Sequence, residues 1–192
     1  MDFKNKTKEY YKRLNDALQH LNYDEINDAM NAILNHYKDG TTIYVFGNGG
    51  SAATASHMMI DFNKGAGSLV KKQFDFVCLN ENIPTLTAIA NDISYDDIFS
   101  YQLTHRLKKQ DLVIAISGSG NSKNVVKAAE YTKKVGADLL GITGFDGGKL
   151  KKLSKYNMHV NVNDMQIVED VHMTFDHMMM QIFMNYLKET EK

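Results

Sequence analysis

Histidine and carboxylate side chains recur at helical spacing in two segments of this 192-residue chain. His57 and Asp61 lie four residues apart, so a helix places both on one face. In the second segment Glu169 and His177 lie eight residues apart, within about 80° of each other around a helix, whereas His172 points elsewhere. If the two faces meet, the paired side chains form a site for a divalent metal. Two imidazoles and two carboxylates suit zinc, with manganese, iron or nickel as alternatives.

The histidines also have an ordinary structural interpretation. Helical histidines often lie in cores or interfaces, and His/Asp pairs four residues apart arise by chance. His105 and His159 have no comparable partners, which favours a structural role for both. His20 and His36 lie on the predicted N-terminal helices and are expected at the surface.

Two loops rich in glycine and serine follow predicted strands. The first, residues 47–52, reads GNGGSA and fits the dinucleotide-binding pattern G-x-G-x-x-A. That pattern requires an acid about 20 residues later, at the end of the next strand. Here the next predicted strand ends near Asn80 and Glu81, about 30 residues beyond the helix start. The sequence therefore predicts no nucleotide cofactor.

The second loop, residues 117–122, reads SGSGNS and offers three hydroxyls at a strand end that enters a helix. Serine hydroxyls and the N–H groups of a first helical turn donate hydrogen bonds to phosphate oxygens, and the helix dipole favours negative charge. An ordinary polar turn with a serine cap is the alternative. Ser117, Ser119 and Ser122 together favour a phosphate monoester, because nothing in the loop would hold the magnesium of a triphosphate.

The surrounding elements predict an α/β fold. Residues 3–38 have the periodicity of two helices ended by Gly40, and a long helix is predicted over residues 166–189. Apolar runs at residues 42–46, 74–79, 112–116, 137–142 and 158–162 alternate with helical segments. This alternation predicts a five-stranded parallel sheet sandwiched by helices, of flavodoxin or Rossmann type. We expect one domain over residues 1–192, with residues 1–40 as an N-terminal helical extension.

Composition excludes several classes of protein. The 22 Lys and Arg balance 23 Asp and Glu, so no basic excess points to nucleic acid. No stretch approaches 18 apolar residues, and the charged N-terminus lacks the apolar core of a secretory signal. Cys78 is the single cysteine, which excludes an intramolecular disulfide framework. The sequence thus predicts a cytoplasmic protein that binds neither membrane nor nucleic acid.

Four motifs in this order resemble the sugar-isomerase (SIS) family, and within it the phosphoheptose isomerase branch. They span nearly the whole chain: FGNGGSAA followed by His57, AND followed by Tyr95-Asp96, SGSGNS, and EDVH followed by His177. The resemblance implies a SIS domain and a homotetramer with active sites at subunit interfaces. It also implies interconversion of sedoheptulose 7-phosphate and D-glycero-D-manno-heptose 7-phosphate, for heptose and surface-polysaccharide synthesis.

The resemblance also implies roles for individual residues. The residues implied to bind substrate are Asn48, Gly49, Gly50, Ser51, Asp61, Asn91, Asp92, Ser117, Gly118, Ser119, Ser122 and Glu169. The implied ligands of the metal, zinc first among them, are His57, Asp61, Glu169 and His177. Asp61 is the expected base and His177 the expected acid, with Glu169 as the alternative base.

Three positions depart from the family pattern. Asp61 stands where the family has glutamate, Glu169 where it has glutamine, and Gly118 where threonine is usual. Asp61 retracts its carboxylate by one methylene, and a misplacement of about 1 Å can cost about 10²-fold in rate. Glu169 adds a negative charge and another candidate base. Either the catalytic roles are distributed differently among these residues in this protein, or the protein has lost the isomerase activity.

Two alternatives to the heptose-phosphate reaction remain open at this level. One is a SIS protein that binds a sugar phosphate or associates with a replication initiator without catalysis; retention of two histidines and two carboxylates disfavours it. The other is an isomerase for a different sugar phosphate, because the loops report neither chain length nor stereochemistry.

Overall fold

The computed structural model describes residues 1–66 and 72–190. The helices are α1 (Lys4–Gln19), α2 (Tyr23–Asp39), α3 (Gly50–Ile60), α4 (Ile83–Asp92), α5 (Ser100–Thr104), α6 (Lys123–Val135), α7 (Gly148–Leu153) and α8 (Met165–Thr190). The strands are β1 (Ile43–Gly47), β2 (Phe76–Cys78), β3 (Leu112–Ser117), β4 (Asp138–Gly144) and β5 (Tyr156–Val160). A π-helical turn, Asp61–Ala66, continues α3, and a 3-10 turn, Tyr95–Asp97, precedes α5.

The described strands form one parallel sheet in the order β2-β1-β3-β4-β5. The predicted fold class is therefore confirmed. The chain moves outward from β1 to β2 on one side and from β3 to β5 on the other, so the connections reverse direction between β1 and β3. In open α/β sheets this reversal leaves a crevice at the carboxyl ends of the two central strands, where ligands bind.

Alternate residues of each strand feed two separate cores. Ile43 and Val45 of β1 point into the core beneath α1, α2, α3 and α8, whereas Tyr44 and Phe46 point into the core beneath α4 to α7. The central strands β1 and β3 are buried along their whole length because helices cover both faces. Their apolar, β-branched composition is typical of such strands.

Local signals explain the helix boundaries. Asn22 caps α2 by accepting hydrogen bonds from the backbone N–H groups of Asp24 and Glu25. Gly40 ends α2 with a positive φ of 70°, as its position in the sequence predicts. Helix α4 and the short α5 were not predicted from the sequence. Asn82, which caps α4, and Pro84 in its first turn were the available signals.

Helix α8 packs directly against the main chain. A Cβ atom on Gly144 would lie 2.4 Å from Val168 Cγ1, and one on Gly118 would lie 2.9 Å from Met165 Sδ. The absence of these side chains lets the first turn of α8 lie over the carboxyl ends of β3 and β4. Farther along, an aromatic cluster joins α8 to the π-helical turn, with Phe62 and Phe183 ring centroids 5.9 Å apart.

Among the residues that the structure describes, no helix is both long and apolar enough to cross a membrane.

His172 faces the core from α8 and is 1% exposed. Neither of its ring nitrogens makes a hydrogen bond to a described residue. Burial lowers the pKa of His172 to about 4, although the nearby Thr143 backbone acts to raise this pKa. The sequence prediction that this histidine points away from His177 is therefore consistent with its position.

His172 should make the protein acid-sensitive. Between pH 6.5 and 4 the unfolded chain takes up a proton on this ring and the folded chain does not, so stability falls as the pH falls. We expect that lowering the pH from 7.5 to 4.5 reduces the unfolding free energy of wild type by about 2–3 kcal/mol more than that of His172→Leu. Urea titrations at both pH values measure this shift. His105→Leu, at an exposed histidine, is the control and should show little of it. An equal shift in both variants would assign the acid sensitivity to other groups.

Candidate active site

The two glycine- and serine-rich loops meet at the crevice between β1 and β3. Strand β1 ends at Gly47, which pairs with Ile116, and β3 ends at Ser117. The loops therefore leave adjacent strands at the same edge of the sheet. The side chain of Asn80 secures the first strand end by donating to the Gly47 carbonyl and accepting from its N–H, at 2.9 and 3.2 Å.

A small cavity of about 120 Å³ opens between the loops and α8. Seven residues predicted to bind substrate line it, namely Asn48, Ser51, Ser117, Gly118, Ser119, Ser122 and Glu169. Ile116 and Met165 complete the lining. Among the described residues that line it none is Lys or Arg, so the donors offered to an anion are hydroxyls, amides and backbone N–H groups.

The serine loop directs its hydroxyls toward this cavity at the N-terminus of α6. Ser117 Oγ and Ser122 Oγ lie 3.3 Å apart. Ser122 precedes the first residue of α6 but makes no side-chain cap bond, so its hydroxyl is not committed to the helix. Gly120 has a φ of +62°, and a Cβ there would lie 2.0 Å from the Gly147 carbonyl oxygen. Only glycine lets the loop close against the turn after β4.

Asn48, predicted to bind the sugar, is held by two residues that sequence reasoning did not assign to this task. The amides of Asn48 and Asn124 donate to each other at 2.8 and 2.9 Å. The Tyr95 hydroxyl also donates to Asn48 Oδ1, at 3.1 Å. Asn124 is 2% exposed, and a polar residue among the apolar positions of α6 was the available signal.

His57, Asp61 and His177 come together in one cluster. The Nε2 atoms of His57 and His177 lie 3.2 Å apart, and His57 Nε2 lies 3.4 Å from Asp61 Oδ2. The cluster includes a fourth side chain, Asp176, and ligand atoms from the four residues all lie within 4.8 Å of one another. The four residues are called the metal-ligand cluster below. The condition stated from the sequence, that the two helical faces meet, holds for these residues within one chain.

Glu169 does not belong to this cluster, in contrast to the four-residue set expected from the sequence. Its carboxylate lies against Gly50 at the start of α3, where a Cβ would be 2.7 Å from Glu169 Oε1. It lines the serine cavity instead. The physical reason is axial distance: eight residues along a helix rise by about 12 Å, so residues close in angle lie two turns apart. Within one chain, therefore, Asp176 rather than Glu169 lies beside the two histidines, and the expected role of Glu169 as a ligand stays a prediction.

Asp176 differs from the other cluster members in its burial. It is 0% exposed, and neither carboxylate oxygen has a hydrogen-bond partner among the described residues. Burial, and to a smaller extent the nearby charge of Asp61, raise the pKa of Asp176 to about 7. In contrast, the His57 side chain is 43% exposed and the Asp61 side chain 20% exposed. The cluster is therefore open to solvent on the side of His57.

Asn91 and Asp92 lie apart from both the cavity and the cluster. They end α4, are exposed, and Asn91 donates to Asp92 Oδ1 at 2.8 Å. Neither lines the serine cavity. Gly49, also predicted to bind substrate, is exposed at the start of α3, with a φ of +55°.

The metal-ligand cluster fits a divalent metal by the chemistry of its donors. Imidazole nitrogens and carboxylate oxygens are common ligands of zinc and of the other divalent metals of this size. The unpartnered oxygens of Asp176 are what such a site predicts, because a buried carboxylate needs a compensating cation or hydrogen bonds. The residues present thus form a group that could hold a metal ion.

Comparison with known proteins points in the same direction. A family model described as the SIS domain matches residues 8–144. A probable phosphoheptose isomerase from Thermoplasma volcanium is 35% identical over 93% of this chain and 90% of its own. A phosphoheptose isomerase from Aliarcobacter butzleri is 38% identical over 78% of this chain and 79% of its own.

Solved structures share the whole fold. Phosphoheptose isomerase GmhA from Neisseria gonorrhoeae superposes with a TM-score of 0.86 at 25% identity, covering 95% of this chain and 98% of that one. A phosphoheptose isomerase from Francisella tularensis gives a TM-score of 0.87 at 22% identity, with coverage of 95% and 98%, which shows the shared fold.

Proposed function

The chain belongs to the SIS domain family, and we propose that it interconverts sedoheptulose 7-phosphate and D-glycero-D-manno-heptose 7-phosphate. The family predicted from the four motifs is confirmed, as is the prediction of an enzyme of the phosphoheptose isomerase type. The relatives support sugar-phosphate isomerisation; the heptose substrate and the metal are our proposal.

One observation carries the proposal: the serine cavity and the metal-ligand cluster lie along the same pair of helices. Ser51 and Glu169 mark the cavity on α3 and α8, and His57 and His177 mark the cluster farther along the same two helices. The six residues from Ser51 to His57 rise by about 9 Å. A sugar phosphate of several carbons spans this distance, with its phosphate among the serines and its carbonyl end at the cluster.

Neutral donors bind the phosphate in this proposal. Ser117, Ser119 and Ser122 donate hydroxyl hydrogen bonds, and the first N–H groups of α6 add favourable charge. Asn48 binds the sugar hydroxyls and is kept in position by Asn124 and Tyr95.

The cluster residues move the protons. Starting from the ketose, the Asp61 carboxylate takes a proton from C1 while His177 donates one to the carbonyl oxygen at C2, which yields a cis-enediol. Return of a proton to C2 and loss of the proton on the C1 oxygen then complete the aldose. A divalent metal, most consistent with zinc, supplies polarisation of the substrate carbonyl when bound.

A homotetramer with sites at subunit interfaces is also part of the proposal. Asn91 and Asp92 are exposed and lie outside the serine cavity of their own chain. Their position supports a proposal that they bind substrate in a site shared with a second copy of the chain. Exposed apolar side chains around the same region, Ile83, Ile93 and Tyr101, support burial by another subunit.

An isomerase assay tests the function directly. Purified protein should convert sedoheptulose 7-phosphate to the aldose, and should lose activity after dialysis against a chelator and regain it with added zinc. Ribulose 5-phosphate and fructose 6-phosphate serve as comparison substrates. Faster turnover of either would reassign the substrate, and binding without turnover of any would favour a non-catalytic SIS protein.

Ser119→Ala should weaken the binding of sedoheptulose 7-phosphate by about 1–2 kcal/mol, because one charge-assisted hydrogen bond to the phosphate is lost. Isothermal titration calorimetry measures the change. Ser154→Ala is the matched control, since Ser154 donates to the Leu150 carbonyl away from the cavity. Unchanged affinity in Ser119→Ala would remove this loop from the phosphate site.

Asp61→Asn should lower kcat by at least about 10²-fold, the lower end for loss of a general base. Glu169→Gln carries the same chemical change at a carboxylate that lies in the serine cavity, and should lower kcat far less. Both variants are assayed with metal content measured in parallel. The opposite pattern, with Glu169→Gln inactive and Asp61→Asn active, would move the base to Glu169.

A further inference from the structure

The side-chain amide of Asn48 lines the serine cavity and lies against the amide of Asn124 at the start of α6. Asn48 Nδ2 donates to Asn124 Oδ1 at 2.8 Å, and Asn124 Nδ2 donates back to Asn48 Oδ1 at 2.9 Å. The same pair of bonds would form with both amides turned over, because each would exchange its donor for its acceptor. A further contact must therefore select one of the two arrangements.

The backbone of α6 selects the arrangement. The Val125 N–H donates to Asn124 Oδ1 at 2.9 Å. This N–H belongs to the first turn of α6, where backbone N–H groups have no partner within the helix. If Asn124 were turned over, the N–H would face an NH2 group and lose its acceptor in a buried position, which is unfavourable. The orientation of Asn124 is therefore fixed, and it fixes the orientation of Asn48.

A second element holds Asn48 in the same orientation. The Tyr95 hydroxyl donates to Asn48 Oδ1 at 3.1 Å. Tyr95 begins the 3-10 turn before α5, and Asp97 at the end of that turn pairs with Lys127 of α6 at 2.7 Å. The turn that carries the hydroxyl is thus joined to the helix that carries Asn124.

These contacts leave Asn48 one group to offer a ligand. An amide oxygen accepts two hydrogen bonds, and Asn48 Oδ1 already accepts those of Asn124 and Tyr95. One of the two hydrogens on Asn48 Nδ2 is donated to Asn124, and the other has no acceptor among the described residues. Toward the serine cavity, Asn48 therefore offers an N–H and no acceptor.

We propose that Asn124 and Tyr95 are positioning residues, which fix the Asn48 amide so that it meets a ligand only as a hydrogen-bond donor. The ligand atom that Asn48 recognises is an acceptor oxygen, on the phosphate or on a sugar hydroxyl. A ligand group that can only donate, such as an ammonium, is rejected there because it meets an N–H. The inference rests on the proposed function in taking the serine cavity as the ligand site, and it does not depend on turnover.

A double-mutant cycle separates positioning from a general structural role. Isothermal titration calorimetry measures the affinity for sedoheptulose 7-phosphate and for inorganic phosphate. Asn48→Ala should weaken binding about tenfold, as expected for the loss of one hydrogen bond to the ligand. Asn124→Leu should weaken binding about three- to tenfold, because the productive orientation of Asn48 is then one of several. In the Asn48→Ala background, Asn124→Leu should change the affinity by less than about twofold, because its effect acts through Asn48.

Tyr95→Phe tests the second contact at a side chain that is 58% exposed, where loss of a hydroxyl does not threaten folding. It should weaken binding about two- to fivefold when Asn48 is present, and by less than that when Asn48 is alanine. Tyr131→Phe is the matched control, since the Tyr131 hydroxyl donates to the Thr104 carbonyl and does not line the serine cavity. It should match the corresponding parent protein in both backgrounds.

Thermal melting accompanies the calorimetry, because Asn124→Leu leaves the Val125 N–H without its acceptor. If this variant does not fold, the cycle between Tyr95 and Asn48 decides the assignment by itself.

The direction of the Asn48 amide is measured by NMR on protein with isotope-labelled asparagine. The Asn48 signals are identified by their absence in Asn48→Ala. Binding should move one Nδ2 proton of Asn48 downfield and leave the other proton nearly unchanged. A shift with inorganic phosphate assigns the acceptor to the phosphate, and a shift with sedoheptulose 7-phosphate alone assigns it to a sugar hydroxyl.

Additive losses in the double variants, or wild-type affinity in both Asn124→Leu and Tyr95→Phe, would overturn the assignment. So would a ligand that leaves both Nδ2 protons of Asn48 unmoved. Turnover of sedoheptulose 7-phosphate together with such a result would leave the proposed function standing. A wild type that binds the sugar phosphate with the expected non-additive pattern, but does not isomerise it, would support the assignment and contradict the function.

Discussion

The close approach of α8 to the main chain is the constraint on which the site depends. Among the described residues, four glycines stand where a Cβ would lie within 3 Å of a side chain of this helix: Gly118 and Gly144 at its first turns, Gly50 at Glu169, and Gly65 at Met180. At Gly144 the colliding atoms belong to the short, branched Val168 side chain, so a side chain there would push α8 away from the sheet edge. At Gly50, Gly65 and Gly118 the nearest atoms are the ends of Glu169, Met180 and Met165, so a side chain there would first displace those flexible groups.

The site combines two electrostatic environments along that helix pair. At one end, neutral donors and the N-terminus of α6 form a pocket suited to an anion, with no Lys or Arg among the described residues of the lining. At the other end, two carboxylates and two imidazoles converge on a position suited to a cation. A phosphorylated sugar has matching ends, an anionic phosphate and a carbonyl that a cation polarises. Glu169 lines the serine cavity as well, so its carboxylate shares the cavity with the neutral donors.

Much of the fold was predictable because the signals were local. Strand β3 begins with five consecutive apolar residues, and alternation of such runs with helical segments indicates a parallel sheet. Helices α4 and α5 were missed because they are short and partly exposed, so their hydrophobic periodicity is weak. The pairing of Asn48 with Asn124 joins residues 76 positions apart, and no local pattern reports such a contact.

The sequence by itself determined the chemistry available to this protein: three serines at one strand end, and His57 with Asp61 on one helical face. It also indicated that α8 would supply a second histidine. Which carboxylate of α8 accompanies that histidine was decided only by the tertiary structure. Helical periodicity gives the angle of a side chain around its axis, and by angle Glu169 was the better match. The packing of α8 on α3 adds the axial position and the burial, which bring Asp176 to the histidines and leave Glu169 about two turns away.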